Sequence, residues 1–422
     1  MRIELINTGT ELLVGRVLNT HQQWLCRQLA DLGYEVSRQA CLPDDAPAIQ
    51  AALRESLNRA DLIIITGGLG PTSDDLTRQL AAQMLGRKLV LHPPTLAVIQ
   101  QYFASRRRPM PANVRVQAMI PEGATVLPNP NGTAPGLLLD IPPENQCLIL
   151  LPGPPRELRP MFLNTAIPLL SRKYPLSAPF QCRTYKITGM GESAVEEKIA
   201  APLQPLLRDG LQLAYCARVG EVDVRLSASG DKAASLIAEG GRLIAEVLGP
   251  VIFGANDDSL QSVLIRLLAA RKKTLAVAES CTGGFLSHCL TNVPGASAVF
   301  LGGVISYSNQ VKQDLLGVRA ETLRLHGAVS EPVAREMADG ARRLLHADYA
   351  LAITGIAGPW GGTPDKPVGT AYIALSKNEG TSVLSQYSPV DRETFKYAIT
   401  QRALDMLRLS LLPDPPPAAK SQ

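Results

Sequence analysis

At 422 residues the chain is too long for one ordinary hydrophobic core, so two or three domains are expected. Its 45% hydrophobic and 19% charged residues are those of a water-soluble globular protein, and a net charge of +4 over this length excludes an electrostatic footprint for nucleic acid. The basic runs Arg106–Arg108 and Arg271–Lys273 are too short for a phosphate track. Seven scattered cysteines with no Cys-x-x-Cys pair argue against a disulfide framework or a zinc site. No run approaches the ~20 apolar residues of a membrane span. A cytoplasmic protein without nucleic-acid or membrane partners is expected.

Residues 2–7 read as a buried strand. Helical periodicity follows over 20–32, with Trp24, Leu25, Leu29 and Leu32 on one side and Gly33 as the stop. A strand (34–40), a helix (46–60) and the apolar strand 62–65 come next. Strands alternating with helices predict a parallel sheet covered on both faces, in an α/β fold that binds ligands beyond the carboxyl ends of its strands. At such an end stands Thr66-Gly67-Gly68-Leu69-Gly70-Pro71-Thr72-Ser73-Asp74-Asp75-Leu76-Thr77. Gly67, Gly68 and Gly70 let the backbone approach a phosphate. Asp74 and Asp75 would repel a bare phosphate, and a divalent cation between them reconciles the two. The competing reading is a tight turn with an acidic helix cap. His21 and His92, each remote from any other ligand pattern, are expected to be ordinary helix or loop residues.

These residues carry a resemblance. Gly9-Thr10-Glu11-Leu12, Asn19-Thr20, Gly67–Thr77, Pro128-Asn129-Pro130, Gly132-Thr133-Ala134-Pro135-Gly136 and Leu151-Pro152-Gly153-Pro154-Pro155 resemble the molybdopterin-binding-like domain of the CinA (competence/damage-inducible protein A) family. The resemblance places a three-layer parallel-sheet domain at 1–170. It implies a metal-dependent pyrophosphatase acting on ADP-ribose, with Asp75 as the metal-associated acid. His21 and Asn131 depart from the family's pattern.

A smaller unit is expected at 178–254: strand 183–188, Gly189-Met190-Gly191-Glu192-Ser193, helix 194–200, strands 211–217 and 222–227, helix 232–248 and strand 251–253. That β-α-β-β-α-β order fits a small split α+β layer. In the family the corresponding segment resembles a KH-like module. The Gly-x-x-Gly clamp with flanking basic residues is missing, so RNA binding is not expected. A spacer or dimer contact is the expected use, in a homodimer.

From Ser259 an amphipathic helix begins the next domain, and the short apolar strand 274–278 leads to Glu279-Ser280-Cys281-Thr282-Gly283-Gly284. A hydroxyl between a strand end and a Gly-Gly turn sits among backbone N–H groups, which acyl transfer requires: a nucleophile beside donors for an oxyanion. Ser280 supplies the hydroxyl, and the N–H groups of Cys281, Thr282 and Gly283 are candidate donors. The plainer reading makes Ser280 or Thr282 a helix N-cap.

With Gly302–Asn309, Lys312, His326–Pro332, Gly355–Pro359, Lys366–Thr370 and Asp391-Arg392, this segment is similar to the nicotinamide-nucleotide amidohydrolase (PncC-type) domain of the same family, over 259–411. The resemblance implies Lys312 as the base for Ser280 and Tyr307 as a relay or orienting hydroxyl, in an α/β domain with no cofactor. A lysine is a base only if its pKa falls well below ~10.4, as burial beside another cation can arrange. Arg392 is either that cation or the ligand of the substrate phosphate, and its geometry favours phosphate. The turn from Gly355 to Gly358 is a second phosphate cradle. Trp360 and Val390 depart from the family's pattern. Residues 412–422, rich in Pro and Ala, read as a disordered tail.

Two rivals to the Ser-Lys pair stay open. Cys281 is intrinsically the better nucleophile but needs a base of its own. His288 or His326 would make a Ser-His arrangement, without the Gly-x-Ser-x-Gly elbow that usually accompanies it. The whole-chain expectation is a bifunctional enzyme that hydrolyses nicotinamide mononucleotide (NMN) and, with a divalent metal, ADP-ribose. The alternatives are a nucleotide-binding regulator with weak or no catalysis and, on fold alone, a molybdenum-cofactor enzyme.

Overall fold

The computed structural model describes residues 1–142 and 145–413. The tail expected from 412 therefore lies, from 414 onward, outside the described residues. The chain divides into two compact units, Met1–Gln181 with Ser229–Asp231, and Cys182–Ala228 with Lys232–Gln422. No helix among the described residues is long and apolar enough to cross a membrane.

The first unit is built on a six-stranded sheet in the order Val36–Leu42, Ile3–Thr8, Leu62–Thr66, Gln146–Leu151, Gly136–Ile141, Thr125–Leu127. The first four strands are parallel to one another. Alternation explains why the central strands are apolar throughout. Leu62 and Ile64 enter a core with Leu25, Leu29 and Phe162 from the helices on one face, while Ile63 and Ile65 enter another with Leu53 and Ala81 on the opposite face. The three layers follow from that. Within this otherwise parallel sheet, Gly136–Ile141 runs antiparallel to both of its neighbours. The connection from Ile141 to Gln146 is too short for a crossover, so only a hairpin can join those strands.

In the second unit, the strands Gln212–Arg218, Glu221–Ser229, Phe180–Thr188 and Ile252–Ala255 form a four-stranded sheet in that order. The helices Glu192–Arg208 and Ala233–Leu248 share its core. The first helix runs well past the expected 194–200, although Pro202 and Pro205 within it each lack a donor. It continues because Val195, Ile199 and Leu203 keep a buried stripe at helical spacing through the first proline.

The same unit holds a five-stranded sheet, ordered Phe300–Ile305, Leu275–Glu279, Tyr349–Gly355, Thr370–Lys377, Gly380–Tyr387. The first three strands are parallel and the last two antiparallel. Helices Leu260–Ala270, Phe285–Thr291 and Arg392–Ser410 cover one face; Asn309–Leu316 and Glu331–Leu344 cover the other. The carboxyl ends of the three parallel strands open at one edge. All the chemistry expected of this domain gathers there.

Candidate active site

Strand Leu275–Glu279 is wholly buried, and its pairing continues one residue past the end, where the Ser280 N–H donates to Ile353 O at 3.0 Å. The chain then turns: the Gly283 N–H donates back to Ser280 O at 3.1 Å, with Gly283 and Gly284 at φ 61° and 95°. Those angles need glycine. Neither Ser280 nor Thr282 caps the following helix, whose N-cap is Gly284 without a side-chain bond. The cap comes from Glu279 instead. Its carboxylate, 0% exposed, accepts from the N–H groups of Gly284 (3.0 Å), Leu286 (3.0 Å) and Ser287 (2.8 Å) and from Ser287 Oγ (2.7 Å). With the helix end satisfied, the Ser280 hydroxyl is left for other work.

Its partner is Lys312. The neighbouring strand ends at Ile305, the Ser306 N–H donates to Glu279 O at 2.8 Å, and Ser308 caps the helix Asn309–Leu316 through the Val311 N–H. Lys312, one turn in, points back and is 1% exposed. Its Nζ lies 3.1 Å from Ser280 Oγ, 2.7 Å from Ser306 O and 3.4 Å from Tyr307 O. A neutral amine has two hydrogens and one lone pair. In the neutral form the two carbonyls can take both hydrogens, which leaves the lone pair for Ser280 Oγ. Burial lowers the Lys312 pKa, only partly opposed by Cys281. No neighbouring cation contributes, so Arg392 is not the source of the shift.

The remaining candidates fall around this pair differently. Tyr307 is 61% exposed, and Arg392 Nη2 donates to its hydroxyl at 3.1 Å. That hydroxyl is not hydrogen-bonded to Ser280 or Lys312; Tyr307 reaches the lysine through its main-chain carbonyl. Arg392 Nη1 donates to Gly358 O at 2.8 Å, which joins the arginine to the Gly355–Gly358 turn. Val390 does not displace it, because Asp391 caps the last helix through the N–H groups of Glu393 and Thr394 at 3.0 Å each. Trp360 is exposed.

Of the three expected oxyanion donors, Gly283 is already committed to Ser280 O. The N–H groups of Cys281 and Thr282 donate to no main-chain carbonyl among the described residues. Thr282 Oγ1 is buried without a partner as well.

The Cys281 side chain is buried, and burial pushes its thiol up to about 12, which disfavours the thiolate a nucleophile needs. Cys281→Ala is therefore expected to keep acyl-transfer activity within about threefold of wild type, since only packing changes. A loss on the scale of a nucleophile deletion, measured by product release, would restore the cysteine. Neither His288 nor His326 is placed to serve Ser280: the ring of His288 pairs with Asn292, and His326 is exposed.

In the first unit, the expected phosphate loop lines a cleft of about 420 Å³. A Cβ at Gly67 would stand 2.5 Å from Thr8 O, and one at Gly70 would stand 2.3 Å from Asp75 Oδ2. Gly68, at φ 65°, packs against Thr77. Asp75 accepts from the Thr72 N–H at 2.9 Å and from Thr72 Oγ1 at 2.5 Å, which fixes its direction. Asp74 lies beside it, and Glu11, Asp44 and Glu157 line the same cleft. Asp44 was not foreseen, because nothing in its local sequence separates it from any loop acid. Among the described residues no three His, Cys, Asp or Glu side chains form a closed metal cage. Hard oxygen donors with room beside them still fit a magnesium-like ion, which takes one or two carboxylates and leaves its other positions to water and phosphate. His21 Nε2 pairs with Gly153 O, and His92 caps a helix through the Thr95 N–H.

Three family models match the chain: a probable molybdopterin binding domain over residues 4–172, a damage-inducible protein CinA KH domain over 182–254, and a CinA C-terminal domain over 257–411. A CinA-like protein of Kosmotoga olearia is 42% identical over 416 residues, covering 98% of this chain and 100% of that protein. Another, from Akkermansia muciniphila, is 42% identical over 405 residues, covering 96% of each. A crystal structure of a competence-damaged protein (CinA) superfamily protein from Klebsiella pneumoniae is 37% identical over 36% of this chain and 95% of that one, with a TM-score of 0.35. Sustained over both chains' full length, this identity means that the chain belongs to the CinA family of competence/damage-inducible proteins.

Proposed function

We infer that the C-terminal domain is an amidohydrolase that converts NMN and water to nicotinate mononucleotide and ammonia. The observation that carries this reading is the buried Lys312 amine 3.1 Å from Ser280 Oγ. The pyridine nucleotide as substrate comes from the resemblance of the Ser280, Tyr307, Lys312 and Arg392 segments to nicotinamide-nucleotide amidohydrolases.

Neutral Lys312 takes the Ser280 proton as Oγ attacks the carboxamide carbon. The N–H groups of Cys281 and Thr282 receive the developing oxyanion. The proton held on Lys312 passes to the leaving nitrogen, which departs as ammonia and leaves a nicotinoyl ester on Ser280. Water, deprotonated by the same amine, cleaves that ester and restores the serine. Arg392, beside the Gly358 carbonyl, holds the nucleotide phosphate.

Ammonia release from NMN by the full chain tests the reading. Tight binding of NMN without ammonia would favour the regulatory alternative. Because only unprotonated Lys312 is a base, kcat/KM is expected to rise with pH along a limb centred below the ordinary lysine value of 10.5, in the direction burial shifts this residue. A flat profile between pH 6 and pH 10 would remove Lys312 from the role.

For the N-terminal domain we infer hydrolysis of ADP-ribose at its pyrophosphate. Asp74 and Asp75 would hold a divalent cation whose charge offsets that of the two phosphates. Gly67, Gly68 and Gly70 let the loop close against Thr8, Thr77 and Asp75, and Thr72 holds the Asp75 carboxylate in place in the cleft that would take the pyrophosphate. The two chemistries separate by chelation. Excess EDTA is expected to abolish AMP release from ADP-ribose and to leave ammonia release from NMN within about 20% of its untreated rate, since one site works through oxygen-ligated cation and the other through an amine. Loss of both, or of neither, would contradict the division of labour.

A further inference from the structure

Behind the glycine-rich loop of the N-terminal cleft lies a buried cation that neither chemistry above uses. Arg78 is 4% exposed and is the second residue of the helix Thr77–Met84. That position is unfavourable twice over, because burial strips the guanidinium of water and a helix N-terminus already carries positive dipole. Its hydrogen bond is to a carbonyl, Nη1 donating to Leu69 O at 3.2 Å, while Nε is buried without a partner. Asp75 acts on it through space and only partly opposes the fall in pKa that burial imposes. A neutral carbonyl does not offset the desolvation of a full charge.

The carbonyl it holds belongs to the loop itself. The Gln117 amide, 2% exposed, donates to the same Leu69 O, with Nε2 at 3.4 Å. Two buried donors therefore keep that oxygen on the inner side of the loop. The peptide between Leu69 and Gly70 is trans, so the Gly70 N–H points opposite to Leu69 O and away from Arg78. Gly70 lines the cleft and Arg78 does not. The Gly70 N–H donates to no main-chain carbonyl among the described residues. Glu11, Asp44, Asp74, Asp75 and Glu157 line the same cleft, and their charges oppose the entry of an anion. A cation behind the loop acts against them without touching the ligand.

We propose that Arg78 is a positioning residue for pyrophosphate: with Gln117 it holds the Leu69 carbonyl inward, so that the Gly70 N–H faces a phosphate oxygen, and its charge draws the anion into an acid-lined cleft. The assignment rests on the cleft being a pyrophosphate site, as inferred for the N-terminal domain.

Calorimetric titration of the full chain with inorganic pyrophosphate in excess magnesium tests it, together with ADP-ribose kinetics. Arg78→Met is expected to weaken pyrophosphate binding about tenfold and to raise KM for ADP-ribose by a similar factor, with kcat within about threefold of wild type. Arg78→Lys keeps a charge and a donor, and with one hydrogen bond to replace it is expected to bind within about threefold of wild type. Gln117→Leu removes the second donor, leaves the charge, and should weaken binding less than Arg78→Met. The melting temperature of Arg78→Met should match or exceed that of wild type, because a buried charge without an ion-pair partner is removed. A side chain that only filled space would give the reverse order, with methionine tolerated better than lysine. Wild-type affinity in Arg78→Met, a lysine variant no better than the methionine one, or weaker binding that comes with a lower melting temperature would each overturn the assignment. Pyrophosphate bound in the expected pattern without AMP release from ADP-ribose would leave the role of Arg78 standing and overturn the hydrolytic reading alone. No pyrophosphate binding by the wild-type chain at millimolar concentration would overturn both.

Discussion

Ser280→Ala is expected to lower ammonia release from NMN by on the order of 10³- to 10⁶-fold, with Lys312→Met falling in the same range, because residues that act as one unit fail together. The geometry explains why neither can substitute for the other. Without the hydroxyl, the lysine lone pair faces the space where a nucleophile should be. Without the amine, the Ser280 proton has no acceptor, since the carbonyls of Ser306 and Tyr307 are far weaker bases. The double variant should be no slower than the worse single one. Lys312→Arg is expected to fail as well, because a guanidinium stays protonated and offers no lone pair. Substrate binding should survive in all of these, since Arg392 and the Gly358 turn are untouched. Rates are read by ammonia release and affinity by NMN titration. Near-wild-type turnover in Ser280→Ala would require a different nucleophile, and additive losses in the double variant would mean that the two residues act separately.

Half of this site was legible in the sequence. Ser280 stood out because a fully apolar strand, a small hydroxyl residue and two glycines specify a local geometry within a few residues, and local geometry is what a sequence pattern encodes best. The same holds for the Gly67–Gly70 loop after Leu62–Thr66. Lys312 did not stand out on its own chemistry. A lysine after Asn309 has the pattern of a solvated helix, and its 1% exposure is set by packing against strand ends distant in sequence. The Tyr307 hydroxyl, expected as a relay or orienting group, is turned to Arg392, and only the Tyr307 carbonyl reaches the lysine. The antiparallel edges of both large sheets were missed for a similar reason, because an apolar strand reads alike in either direction until connection length is considered. Glu279 has no role legible in its motif, since an acid at a strand end reads as solvent-facing. Nothing local reveals that its carboxylate is buried.

That carboxylate carries the second large expectation. Glu279→Ala should lower the stability of the chain's second unit by about 3 kcal/mol, because the Leu286 N–H is buried and unsatisfied donors cost ~1–3 kcal/mol each, while Gly284 and Ser287 are partly open to water and recover some of theirs. Such a loss is a large share of the 5–15 kcal/mol that typically separates folded from unfolded chains. Glu279→Gln should not rescue it. The carboxylate accepts on both oxygens, from Gly284 and Leu286 on one and from Ser287 on the other, so an amide would set its NH₂ against at least one backbone N–H. Glu279→Asp is shorter by one methylene and cannot span the same donors. Activity should fall with stability, since Glu279 immediately precedes Ser280 and its own carbonyl receives the Ser306 N–H. One carboxylate thus anchors the helix after Ser280 while the main chain of the same residue anchors the strand end before Lys312. Urea unfolding and ammonia release measured on the same preparations separate the two effects. Wild-type stability together with wild-type turnover in Glu279→Gln would show that the four hydrogen bonds hold nothing the serine needs.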